Sequence, residues 1–154
     1  QIAVFKTNII AELQSNKSRY EEVVSYHKMV RDSSSHYRNV SKIQSLPRFF
    51  SGVRTLTLTN SAFETGVQTG LINGLEFDEI QSVNYVYTIQ ESYNDFASVL
   101  LSGLITMDIE ENETGFKKFY RYLSVSMTDV VIKEEQLLTQ YDLLLEKLKS
   151  EYTL

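Results

Sequence analysis

The sequence contains no cysteine and no tryptophan. The first absence excludes a disulfide framework, thiolate metal sites and cysteine nucleophiles together. One proline and six glycines among 154 residues are few for a β-rich or loop-rich chain, and the natural expectation is a mostly helical protein of one domain. No stretch approaches the roughly 18 uninterrupted apolar residues that a membrane-spanning helix requires. Neither of the two histidines has a glutamate three residues before it, since those positions hold Val24 and Ser33. The Glu-x-x-His pairs of di-iron bundles are therefore missing. Zinc-protease spacing, glycine-rich phosphate loops and a nucleophile elbow are missing as well. No catalytic residue, cofactor or metal is expected.

Cations are also scarce over a long stretch: no lysine or arginine occurs between Thr55 and Phe116. The net charge is −5, but residues 1–60 carry nine Lys/Arg against four Asp/Glu, and residues 61–154 carry six against sixteen. The simplest expectation is that a basic first helix packs beside the acidic middle of the chain and pairs with it. Lys117-Lys118-Phe119-Tyr120-Arg121 mixes bases with aromatics as single-strand nucleic-acid sites do. Three cations within so acidic a half do not make an electrostatic footprint, and no nucleic-acid partner is expected.

What the chain does contain is three long amphipathic patterns. In the first, Ile2, Phe5, Ile9, Leu13, Tyr20, Val23, Val30 and Tyr37 recur at helical spacing, with Asn16 and His27 filling gaps in the stripe. Both polar residues then need an internal partner. Asn16 is read as a register-fixing residue, and His27 as a satisfied core histidine set against a metal ligand or a pH switch. A break is expected at Ser33-Ser34-Ser35, a stop at Leu46-Pro47, and a short connecting helix from Pro47 to about Thr57. Thr55-Leu-Thr-Leu-Thr59 alternates like a strand but has no second strand to join, so it is read as a helix end and loop.

The second pattern, capped at Asp78, carries Val83, Val86, Ile89, Tyr93, Phe96, Leu100, Leu104 and Met107. Residues 108–115 resemble the start of a calcium loop, but Glu113 replaces the required glycine and Phe119 the twelfth-position glutamate, which leaves a solvated turn. The third pattern runs from near Thr114 through Phe116, Phe119, Leu123, Met127, Val130, Leu137, Tyr141, Leu144 and Leu148, interrupted by Glu134. Tyr20, Tyr93 and Tyr141 read as core, while Tyr85, Tyr87, Tyr120 and Tyr122 read as interface candidates.

Between the first two patterns lies Thr59 to Gly74, where caps, small residues and turn signals coincide. Asn60 or Ser61 can cap a short helix, and Ser61-x-x-Glu64 has the form of a capping box. Ala62, Gly66 and Gly70 make a smooth strip for close packing, Gly70 suits a left-handed helix end, and Asn73-Gly74 is a turn dipeptide. The fold expected is all-α: an antiparallel bundle of three long helices plus short crossover helices. The first and last would run parallel to each other, and the 47–74 segment would cross at the end where the first helix finishes.

Asn60-Ser-Ala-Phe-Glu64-Thr-Gly-Val-Gln-Thr-Gly70-Leu, together with Glu12-Leu13-x-x-Asn16, resembles an uncharacterised family of bacterial single-pass membrane proteins. In that family one transmembrane helix leads into a helical extracytoplasmic domain with an early Glu-Leu-x-x-Asn element and a mid-chain Ala-x-Glu-Thr-x-x-x-Ser/Thr-Gly element. This chain departs from the pattern in lacking tryptophan and any membrane segment of its own. The resemblance implies a domain at the extracytoplasmic (periplasmic) face of an inner membrane, tethered by an anchor upstream of Gln1, with a cytoplasmic location as the alternative. The function expected is non-enzymatic: protein interaction or signal sensing, with an unknown protein partner or self-association. The alternative is a ligand-binding bundle or cryptic enzyme with a cavity near His27 and Glu64.

Overall fold

A computed structural model describes residues 1–40, 42–43, 45 and 48–150. The fold is all-α, with no strand among the described residues. Helix α1 spans Ile2–Tyr37, the short helix α2 Ser61–Gln68, a 3₁₀ turn Leu71–Gly74, helix α3 Phe77–Thr106 and helix α4 Glu113–Lys149. Helix α1 runs unbroken through Ser33-Ser34-Ser35 and ends at Tyr37, well before Pro47. Ser34 is fully buried there, so packing overrides the weak helix preference of serine. The role expected for Pro47 lies outside the described residues, but residues 50–60 contain no helix.

The expected topology needs correction. Contacts between α1 and α4 pair Lys17 with Asp142, His27 with Glu134 and Ser35 with Ser124, so these two helices are antiparallel. Contacts between α1 and α3 pair Lys6 with Glu79, Glu12 with Tyr87 and Asn16 with Gln90, so those two run parallel. The connection after α1 causes this. Instead of crossing at the far end, it returns along α1 as an extended chain and delivers α3 to the end where α1 began.

The lengths agree. From Val53 to Ser61 an extended chain covers about 26 Å, and α1 from His27 back to Glu12 rises about 22 Å. Leu56 and Leu58 point into the core, whereas Thr57 is exposed. The strand-like alternation of this stretch is thus real, although no second strand accompanies it among the described residues.

Helix α4 is the central rod and packs against both α1 and α3. Every apolar residue of its sequence stripe is buried, from Phe116 to Leu148. Asn112 caps it by accepting from the Gly115 amide at 2.8 Å. Helix α3 starts one residue before the expected cap, Asp78: Glu76 is the N-cap, and Glu79 completes a capping box by accepting from the Glu76 amide. Its buried face includes Tyr87, Gln90 and Ala97 rather than Ile89 and Phe96, because the extended segment lies against one flank. Tyr87 and Tyr120 are core residues, and Tyr85 alone of the four expected interface tyrosines is mostly exposed.

The small residues near α2 act individually. A Cβ on Gly66 would stand 2.0 Å from Cε2 of Phe5, and one on Gly74 2.0 Å from Cδ1 of Ile2, so both glycines admit the start of α1 at close range. Gly70 is exposed and takes φ +76°, the left-handed turn between α2 and the 3₁₀ segment. Charge pairing differs from the simple expectation. Lys6 meets Glu79 of α3, but Lys17 and Lys28 meet Asp142 and Glu135 of α4.

Candidate functional site: a backbone clamp

An extended segment without a partner strand must find hydrogen bonds for its peptide groups elsewhere. Here side chains of α1 and α3 supply them at successive stations. Tyr26 accepts from the Ser51 amide and donates to the Gly52 carbonyl. The bend that follows uses positive φ at Gly52 (94°) and at Arg54 (52°), with the Arg54 guanidinium over the Tyr26 ring at 4.6 Å. Arg19 donates to the Thr57 carbonyl, and Asn94 accepts from the Leu58 amide and donates to its carbonyl.

The first buried station is His27. Its Nε2 lies 2.8 Å from the Val53 carbonyl, which can only accept, so Nε2 carries a proton. Nδ1 lies 2.6 Å from Oε1 of Glu134, itself 1% exposed. The other Glu134 oxygen accepts from Tyr93, whose hydroxyl accepts from the Leu56 amide. Burial by itself lowers the His27 pKa, but the hydrogen bond and charge of Glu134, helped by the Val53 and Arg54 carbonyls, outweigh it. The net direction is upward from 6.5. Burial and the Glu134 charge push the Tyr93 hydroxyl up, keeping it a neutral donor.

The sign of the pH dependence follows. A histidine whose folded pKa is raised contributes stability that is complete below its unfolded pKa and lost as pH rises through the folded one. We therefore expect the urea midpoint to fall as pH rises above the ordinary histidine value of 6.5, and a His27→Leu/Glu134→Leu variant to lose most of that slope. An unchanged midpoint would contradict a charged His27.

The second station is Asn16, fully buried, whose amide matches both peptide groups of Thr59. Its Oδ1 accepts from the Thr59 amide at 3.1 Å, and its Nδ2 donates to the Thr59 carbonyl at 3.0 Å and to Gln90 Oε1 at 3.1 Å. Gln90 Nε2 donates to the same carbonyl, and Tyr141 donates to Gln90 Oε1 at 2.6 Å. One network thus ties α1, the segment, α3 and α4.

The third station is Glu12. Its carboxylate accepts from the Ser61 hydroxyl, the Ala62 amide and the Tyr87 hydroxyl at 3.1, 2.9 and 2.6 Å, with the Phe63 amide at 3.5 Å. The N-terminus of α2 is therefore capped from another helix, where a carboxylate is favoured by both free amides and dipole. This corrects the expected capping box. Neither Asn60, the N-cap, nor Ser61 caps through its side chain, and Glu64 is exposed, accepting from Asn60 Nδ2 at 3.0 Å.

The two sequence elements singled out, Glu12-x-x-x-Asn16 and Asn60 to Gly70, thus meet directly. Four residues apart on one face of α1, Asn16 and Glu12 hold the peptide groups of Thr59 and Ala62 as the chain enters α2. His27 is separate from Glu64: the cleft of about 300 Å³ beside Glu64 is lined by Asn60, Phe63, Asn84, Tyr87 and Glu91, over a Phe63–Tyr87 stack at 4.4 Å. The His27 ring is enclosed, with both nitrogens bonded to protein. Among the described residues no three His, Asp or Glu side chains converge as metal ligands would, and no helix is long and apolar enough to cross a membrane.

Sequence reasoning missed Glu134, Gln90 and Tyr93 as partners. The available signal was that Gln90 and Glu134 occupy core registers, where a polar group needs a counterpart on a facing helix. No family model, curated protein or solved structure matches this chain.

Proposed function

We propose that this chain is a non-enzymatic helical domain that binds a protein partner, held at the extracytoplasmic face of a bacterial membrane by an anchor outside these residues. The observation that carries the interaction reading is the groove between α3 and α4. It holds two clefts, one lined by Ile89, Ser92, Tyr93, Lys133 and Gln136, the other by Tyr85, Gln140 and Leu143. Among its lining side chains, Tyr85 and Leu143 face solvent at 51% and 55% exposure. Val125, Ile132 and Leu143, all more than half exposed, are spaced by seven and eleven residues and so share one strip of α4.

Aligned apolar groups of this kind mark protein contact surfaces. The interior supports a non-catalytic reading, because its buried acid and imidazole groups are bonded to backbone or to other buried side chains rather than facing a cavity. The compartment rests on the sequence resemblance.

A photo-crosslinking residue placed at Val125 or Leu143 in native cells should give one shared adduct, lost when Ile132→Glu is added. Placed at Glu22, on exposed α1 surface, it should give none. No adduct, or the same adduct from all three positions, would overturn the proposal. In spheroplasts the domain should be digested by added protease, and protection there would remove the compartment.

A further inference from the structure

We infer that the cleft formed by Arg38, Asn39, Thr114, Lys117, Lys118 and Arg121 binds a phosphate-bearing ligand, the geometry pointing to a diphosphate or similarly charged group. Thr114, Lys117, Lys118 and Arg121 are spaced three, four and seven residues apart, which puts them on one face of the first turns of α4. Arg38 and Asn39 close the cleft from the end of α1. Because α1 and α4 are antiparallel, Arg38 is brought to the basic start of α4, some eighty residues away in sequence.

The cleft encloses about 390 Å³, enough for more than one phosphate group. Its charge is mostly uncommitted. Among the described residues Lys117 pairs with Glu113 at 3.3 Å, while no carboxylate lies within ion-pair distance of Arg38, Lys118 or Arg121. Arg38 has only a long contact, 3.4 Å, to the Ser124 hydroxyl. Three cations without a carboxylate partner share this concavity with Lys117, and a bound anion relieves their mutual repulsion. Arginine forks and lysine ammonium groups match phosphate oxygens, and the Asn39 and Thr114 side chains add neutral donors. Sequence alone did not reveal the site, because Lys117, Lys118 and Arg121 looked isolated until the fold added Arg38.

Phosphate oxygens are common to soluble polyphosphates and to anionic lipid headgroups, so the test uses both. Inorganic pyrophosphate is titrated into the intact chain at low salt and followed by calorimetry and by amide shifts. Binding to phosphatidylcholine vesicles with and without phosphatidylglycerol is measured by co-sedimentation. We expect saturable pyrophosphate binding with shifts at Asn39, Thr114 and Lys118, weakened about tenfold or more by Lys118→Glu/Arg121→Glu and unaffected by Lys149→Glu. Binding only to phosphatidylglycerol vesicles, lost in the same double variant, would keep the phosphate site and assign its source to lipid. No binding to either, or binding indifferent to the double variant, would overturn it. The substituted side chains are exposed, and an unchanged circular dichroism spectrum separates lost binding from lost fold.

Discussion

Glu134→Ala should destabilise the fold by about 3–5 kcal/mol in urea denaturation, the usual penalty for leaving a buried charge without its counterion. The reason lies in two groups that share that carboxylate. His27 would keep a proton demanded by the Val53 carbonyl but lose the acceptor at Nδ1, and Tyr93 would lose the acceptor of its own hydrogen. Replacing both partners should behave differently. His27→Leu/Glu134→Leu removes two buried ionisable groups together and should recover about half or more of the loss, since buried ion pairs are often no better than packed hydrocarbon. A single Glu134→Ala substitution costing less than about 1 kcal/mol would mean that the pair is not a buried charge pair at all.

Asn16→Leu should cost about 3 kcal/mol although it preserves side-chain volume, because the Thr59 amide loses its acceptor and a buried unsatisfied amide carries the larger penalty. Asn16→Asp should do no better. An aspartate keeps the acceptor for the Thr59 amide but sets a negative charge against the Thr59 carbonyl and Gln90 Oε1, both of which require a donor. The amide is therefore specified at both ends. A double-mutant cycle between Asn16→Leu and Gln90→Leu should give a coupling of about 1 kcal/mol or more, as expected for members of one network. Independent effects would show that the two amides hold the segment separately.

Several of these features were legible in the sequence and others were not, for identifiable physical reasons. The α4 stripe could be read residue by residue because its partners lie along a single face at steady spacing. Asn16 and His27 stood out as polar residues on an apolar stripe. Their partners did not, since one polar core position on α1 can be matched by several on α3 or α4 and spacing does not choose among them. Glu12 was visible only as part of a motif, because its use as a cap for α2 depends on a helix that follows it by some fifty residues.

The direction of α1 relative to α4 is not legible in the sequence, on a similar ground. Residues 55–59 alternate as an extended chain does, but an isolated strand has no sequence signature for side-chain partners, so the sequence alone reads as a helix end and loop. Once it is extended, its length fixes the topology: it spans the distance from His27 to Glu12 and brings α3 back beside the start of α1. Glu64 illustrates the opposite error. Its spacing from Ser61 fits a capping box, yet the free amides of α2 are taken by Glu12, whose carboxylate is held in place by Tyr87.

Amide hydrogen exchange across residues 51–63 reaches the centre of this account. The amides of Leu56, Thr59 and Ala62, held by Tyr93, Asn16 and Glu12, should exchange only with global unfolding, although they belong to no sheet and precede or barely enter a helix. If all three exchanged at the rate of an open loop, the clamp described here would not exist.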